Sequence, residues 1–236
     1  MTITPNMTVA DIARTEPATI RVFQQHAIDF CCGGKLPLTD ACSAAGVDAG
    51  ALLVELEEAT RSREDDTDWN RAPLPSLIEH IQETFHRPLR EELPRLAAMM
   101  EKVVQRHGDR FPEMLPQLQT AFADLHAEMI QHMAKEDAIL FPAIAQAAEA
   151  GGAYAAESGA WSWIDQPIDV MEAEHDAAGA ALARMRTLTG GYTPPADACP
   201  TFRGLYHGLA ELERAMHVHV HLENNILFPR AMQLVR

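Results

Sequence analysis

Two eleven-residue stretches hold the residues best suited to chemistry: HMAKEDAILFP from His132, and HVHLENNILFP from His219, 87 residues further on. Each sets a glutamate four positions after a histidine, and each closes on Leu-Phe-Pro. On a helix, residues four apart lie about 40° from one another around the axis, on a single face. An imidazole and a carboxylate so placed are ligands for a divalent first-row metal. Writing the pair twice points to a duplicated unit and a shared site.

The facing of these residues can be computed from helical spacing. With His219 as zero, Glu223 falls at about 40°, Leu212 at about 20°, Ile226 at about −20° and Ala215 at about −40°. His219 and Glu223 therefore lie in the apolar stripe, whereas His217 and His221 lie on the outer face. Around His132 the same spacing gathers Leu125, Glu136, Ile139 and Ala143. His175 aligns with Ile168, Met171, Ala178 and Leu182, and His86 with Leu93, Ala97 and Val104. Each half of the chain thus reads as a helical hairpin with a lone inward histidine, followed by an inward His-x3-Glu.

Four histidines and two glutamates then face one interior. A buried carboxylate needs a partner, and no Lys or Arg stands inward at matched positions. A water-filled seam, with Glu136 and Glu223 hydrogen-bonded to the histidines, is one solution. A pair of metal ions is the other: two histidines on each ion, both glutamates bridging, and positions left open for exogenous ligands. Mixed His/Glu ligation of this kind in a helical bundle favours two non-haem iron ions in a carboxylate-bridged centre.

The elements that must position these groups are helices. Long helical segments are expected at roughly 76–107, 114–149, 165–189 and 199–233. HGDRFPEM, EAGGAYAAESGA and TGGYTPPADACP separate them. Pro88 and Pro94 predict a bend or irregular turn in the first. Ahead of these lie short helices, broken at DFCCGGKLPLTDAC, and an acidic, proline-bearing linker. The expected class is all-α: an antiparallel four-helix bundle (76–236), preceded by a small helical cysteine-bearing domain (1–63) and a linker (64–75).

Composition agrees: aromatics are 6% of the chain while Ala, Leu and Met are plentiful, which favours helix over strand. A net charge of −15 argues against nucleic acid or an anionic membrane as partner. The opening MTITPNMTVADIARTEP has no basic segment leading into an apolar run, and no apolar stretch has membrane-spanning length. With four cysteines that form no evident disulfide framework, a reduced, cytoplasmic setting is expected.

DFCCGGK, HMAKEDAILFP, EHDAAG and HLENNILFP, taken in this order, resemble the iron–sulfur cluster repair di-iron proteins, the hemerythrin-like RIC family. The likeness covers essentially the whole chain. It implies a non-haem di-iron centre and the repair of clusters damaged by nitric oxide or oxidants. Proteins with damaged iron–sulfur clusters would be partners, and nitric oxide or oxygen small ligands. The family's metal ligands carry over to His86, His132, Glu136, His175, His219 and Glu223, the same six that facing selects. Glu174 matches a family acid near the centre, as an additional or switching ligand. The sequence departs from the family at FHRPLRE, where Pro88 and Leu89 replace a more polar, His-bearing segment. Cys31 and Cys32 match the family's N-terminal motif, implying a redox or iron-handling role.

The residues themselves leave choices open. Vicinal thiols beside flexible glycines and Lys35 suit a thiolate that approaches a partner closely; packing in a small core is the alternative. Cys42 and Cys199 read as structural, and His80, His107, His126 and His207 as surface or supporting histidines. Iron donation, nitric oxide reduction and nitrosyl transfer all fit the centre, as does an oxygen or nitric oxide binder or sensor. A thiol oxidoreductase on a metal-free bundle would make the six inward residues a coincidence. A homodimer through the small domain is compatible with the sequence.

Overall fold

The structure, a computed structural model, describes residues 3–61, 67–151, 156–157 and 159–235. Parts of the expected linker and of EAGGAYAAESGA lie outside them. Among the described residues the chain is helical, with one isolated antiparallel bridge between Thr8 and Pro37 and no strand. No described helix is long and apolar enough to cross a membrane.

Two compact units emerge. One comprises Met1–Ile78, Ala147–Ser162 and His217–Arg236, the other Glu79–Gln146 and Trp163–Met216.

The first unit starts with α1 (Val9–Thr15), α2 (Ile20–Gln25), α3 (Leu38–Ala45) and α4 (Ala49–Arg61). Thr8 caps α1 by accepting the Asp11 amide at 3.1 Å, and Pro17 separates α1 from α2. Gly46, at φ 68°, ends α3 in the left-handed conformation. Helix α3 falls within and just after the segment read as a turn, too short to show a clear period. Val9, Ile12, Phe23, Phe30, Leu38 and Leu52 make the core of this part. The unit also holds α5 (Leu74–Ile81) in large part and α11 (Phe228–Val235). Arg230 of α11 donates to the Trp69 and Ala72 carbonyls at 2.6 and 2.7 Å, tying α11 to the segment ahead of α5.

The second unit is the bundle proper: α6 (Arg87–His107), α7 (Met114–Lys135), the start of α8 (Phe141–Ala150), α9 (Asp165–Leu188) and most of α10 (Pro200–Leu222). Helices α6 and α9 both pack on α7. Buried residues repeat at alternating steps of three and four, as in Leu89, Leu93, Leu96, Met100 and Val103 of α6. That is the seam of left-handed bundle packing. On α7 the seam runs through Leu118, Phe122, Leu125 and Met129 and then meets His132 and Glu136; on α9 it meets His175 between Met171 and Ala178. The polar residues continue the hydrophobic seam instead of leaving it.

One polar pair elsewhere in this unit gives a stability test. Glu213 is buried, and burial pushes its carboxyl up, against the pull of Arg186, whose Nε lies 3.2 Å away. Replacing Arg186 with leucine should lower stability by about 1–3 kcal/mol, read from urea titration, because a buried carboxylate loses its cation. Adding Glu213→Gln should recover most of the loss.

Candidate metal centre

Three helical segments each contain one π-helical turn: Gln82–His86, Glu136–Leu140 and Glu223–Leu227. Proline explains them. Pro88, Pro142 and Pro229 each stand two residues past a π turn. A proline lacks the amide for the carbonyl four residues back, and its ring crowds that carbonyl. The helix responds by widening just upstream: the amides of Arg87, Phe141 and Phe228 bond five residues back, to the carbonyls of Gln82, Glu136 and Glu223. His86 closes its π turn, and Glu136 and Glu223 open theirs. This is what the repeated Leu-Phe-Pro contributes. Helix α6, by contrast, runs through Pro94.

In the second unit, His86, His132, Glu136 and His175 are all buried. His86 Nε2 and His132 Nε2 approach the same oxygen, Glu136 Oε2, at 3.4 and 3.2 Å, and His175 Nε2 lies 3.0 Å from His132 Nε2. The far sides of two rings fix their protons. His86 Nδ1 donates to Asp137 Oδ1 at 2.9 Å, and His132 Nδ1 donates to Glu174 Oε2 at 2.8 Å. An ionised carboxylate only accepts, so Nδ1 carries the proton of each neutral ring, whose Nε2 lone pair is then turned toward Glu136. Burial works to raise the Asp137 carboxyl, but hydrogen bonds from His86, Gln82 and Arg90 hold it well below the usual carboxylate range. Glu174 is likewise held low, by Lys135 and His132 against the effect of burial.

Lone pairs thus converge on a carboxylate. Neither oxygen of Glu136 has a hydrogen-bond partner among the described residues. Buried carboxylates do not persist that way. A cation among these atoms removes the conflict. Ligand atoms about 2.1 Å from one ion lie about 3.0–3.4 Å from each other at ordinary coordination angles, which is the spacing seen.

In the first unit, His219 Nε2 lies 3.0 Å from Glu223 Oε1, both buried. Two groups of four residues offer one ligand atom each, all within 4.8 Å of one another: His86, Glu136, His219 and Glu223, and His132, Glu136, His175 and Glu223. All six residues expected from facing are in these groups, and both glutamates occur twice. The donor set of imidazoles and carboxylates fits a di-iron centre. Glu174 is in neither group; it orients His132 and pairs with Lys135. Asp137 does the corresponding work for His86, and its facing gave no sequence signal.

Cys31 is buried, and its surroundings reverse the thiolate expectation. Its thiol is pushed well up by the hydrogen bond with Cys32, by burial and by Asp29. Asp29, 3.2 Å from Cys31 Sγ, is the charged group that meets it, while Lys35 is exposed. His221, placed on the outer face by its spacing, is not in solvent. It is buried against Phe30, with ring centroids 5.5 Å apart, and burial pushes it down to about 4. His107 Nε2 lies 3.3 Å from Cys199 Sγ; His80, His126 and His207 belong to neither metal group.

A His/Glu cluster on the seam of an antiparallel four-helix bundle defines a hemerythrin-like metal protein. The sequence matches the hemerythrin HHE cation binding domain over residues 77–231, and a domain of unknown function, DUF542 (ScdA_N), over residues 5–60. It is 40% identical to the iron-sulfur cluster repair protein YtfE of Yersinia pseudotuberculosis serotype O:1b (strain IP 31758) across 97% of both chains, and 39% identical to that of Yersinia pestis (strain Pestoides F) at the same coverage. The chain belongs to the YtfE-type family of hemerythrin-like di-iron proteins.

Proposed function

We propose that this protein repairs iron–sulfur clusters damaged by nitrosative or oxidative stress, acting in the cytoplasm on the proteins that carry them. In this reading His86 and His219 would hold one iron and His132 and His175 the other, with Glu136 and Glu223 shared between them. Membership of both ligand groups supports the shared role of the two glutamates, and the names of the relatives support the repair activity. When bound, the iron pair would supply redox-active, exchangeable iron.

The chain's own residues do the positioning. Asp137 and Glu174 keep the Nδ1 protons of His86 and His132 in place, so that both Nε2 atoms stay available as donors. Glu136 and Glu223 are fully buried, which keeps water from competing for their carboxylates. Cys31 and Cys32, closed in this structure, are the groups on the small domain that would pass iron or electrons once opened.

The observation that carries this reading is Glu136, buried, with two imidazole nitrogens turned to one of its oxygens and no hydrogen bond to either. Iron-loaded protein should restore activity to a cluster-damaged dehydratase, whereas the Glu136→Leu variant should not. Equal rescue by the variant would falsify the reading.

A further inference from the structure

The loop that carries the vicinal thiols is hydrogen-bonded through its backbone to the chain segment that carries His219 and Glu223. Asn225 Nδ2 lies 3.4 Å from the Phe30 carbonyl, 3.5 Å from the Cys31 carbonyl and 3.0 Å from His221 Nδ1. An amide nitrogen only donates, so its two N–H groups face the two carbonyls and the His221 ring nitrogen, which itself lies 3.3 Å from the Phe30 carbonyl. The His221 ring packs edge-on against Phe30, and Phe30 is fully buried in the small-domain core, which Val218 also joins. The Cys31–Cys32 loop is therefore fastened to the outward-facing side of the α10 segment and its following π turn.

The loop is closed from its own side as well. The Asp29 carboxylate accepts the amides of Cys31, Cys32 and Gly33 at 2.9, 3.1 and 2.8 Å, and it lies 3.2 Å from Cys31 Sγ. Gly34 passes so close to its neighbours that a Cβ there would stand 2.7 Å from the Phe30 carbonyl and 2.9 Å from the Ala10 methyl. Nothing larger than glycine fits without moving the loop. A buried thiol bonded to a carboxylate neither ligates metal nor attacks an electrophile.

We propose that Asn225 is a positioning residue, a clamp that keeps the Cys31–Cys32 pair closed, and that the pair takes part in iron handling only after this clamp releases. The use made of the thiols rests on the repair reading above; the clamp itself concerns conformation and is tested without repair activity.

The test is alkylation of Cys31 by iodoacetamide in the full-length, iron-loaded protein, followed by peptide mass spectrometry. Asn225→Ala should raise the rate about tenfold, the effect of losing a hydrogen bond that opposes local opening. Asn225→Asp keeps the size but presents an acceptor to two carbonyls, and should do the same. Gly34→Ala opens the loop from its other side and supplies a third route to the same result. Bound iron should stay at the wild-type level, and alkylation of Cys42 should not change. Wild-type alkylation rates in the Asn225 variants would overturn the clamp. So would a rise shared equally by Cys42, which marks general unfolding, or iron loss in step with alkylation. Failure of wild-type protein to rescue a damaged dehydratase would count against the repair reading alone.

Discussion

Glu136→Leu is expected to purify with almost no iron, where the wild-type chain holds about two ions. Glu136 belongs to both groups of candidate ligands, so its loss strips a shared oxygen donor from each. A ligand confined to one group should behave differently: His175→Ala removes a single donor and should leave about one iron behind. Elemental analysis of freshly purified protein distinguishes the two patterns. Stability of the metal-free proteins should run the other way. Without a cation, Glu136 is a buried carboxylate with imidazole lone pairs turned to it, whereas leucine at the same place continues the seam of Leu125 and Met129. The metal-free leucine variant should therefore be the more stable by about 1–3 kcal/mol in urea. Full iron occupancy in Glu136→Leu would remove the basis for a shared carboxylate.

Asp137→Asn should loosen the iron about 10- to 100-fold, the usual consequence of losing the carboxylate that orients a metal-binding histidine. Asp137 collects hydrogen bonds from His86, Gln82 and Arg90. A neutral amide there withdraws the charge that favours the Nδ1 proton on His86, and with it the orientation of the Nε2 lone pair. Glu174→Gln should act in the same way through His132, tempered because Glu174 also pairs with the partly exposed Lys135. Combined, the two changes should multiply, since they act on different rings. Competition with a coloured iron chelator reads the effect directly. Release at the wild-type rate from the double variant would show that these carboxylates do not tune the centre.

How far the site could be read from sequence depended on helix regularity. Around His175 the helical spacing is right at every position: Ile168, Met171, Ala178 and Leu182 are all buried, and α9 has no interruption. Around His132 Leu125, Glu136 and Ala143 are buried as expected, but the residue between the last two is not. Ile139, expected inward, is 54% exposed, while Leu140 is 2% exposed. The π turn inserts an extra residue, which rotates the downstream side chains by about 100°. Along α6 the stripe drifts for a different reason: Leu93 is buried as expected, but Leu96, Met100 and Val103 are buried in place of Ala97 and Val104, because a seven-residue repeat precesses around a helix of 3.6 residues per turn. Pro88 and Pro142 stand just past the widened turns, but α6 runs through Pro94 without widening, so proline alone does not mark where a helix will widen. His221 was placed on the correct face, but spacing within one helix says nothing of a distant segment lying over that face. Phe30 comes from another part of the chain and covers it.

The π turn Glu223–Leu227 has two employments. Its first residue is a candidate iron ligand, and its third, Asn225, grips the thiol loop. Five residues of widened backbone therefore carry both a candidate iron ligand and the side chain that reaches the Cys31 carbonyl. Regularising it, as by Pro229→Ala, would disturb the metal and sulfur sides of the protein in one stroke.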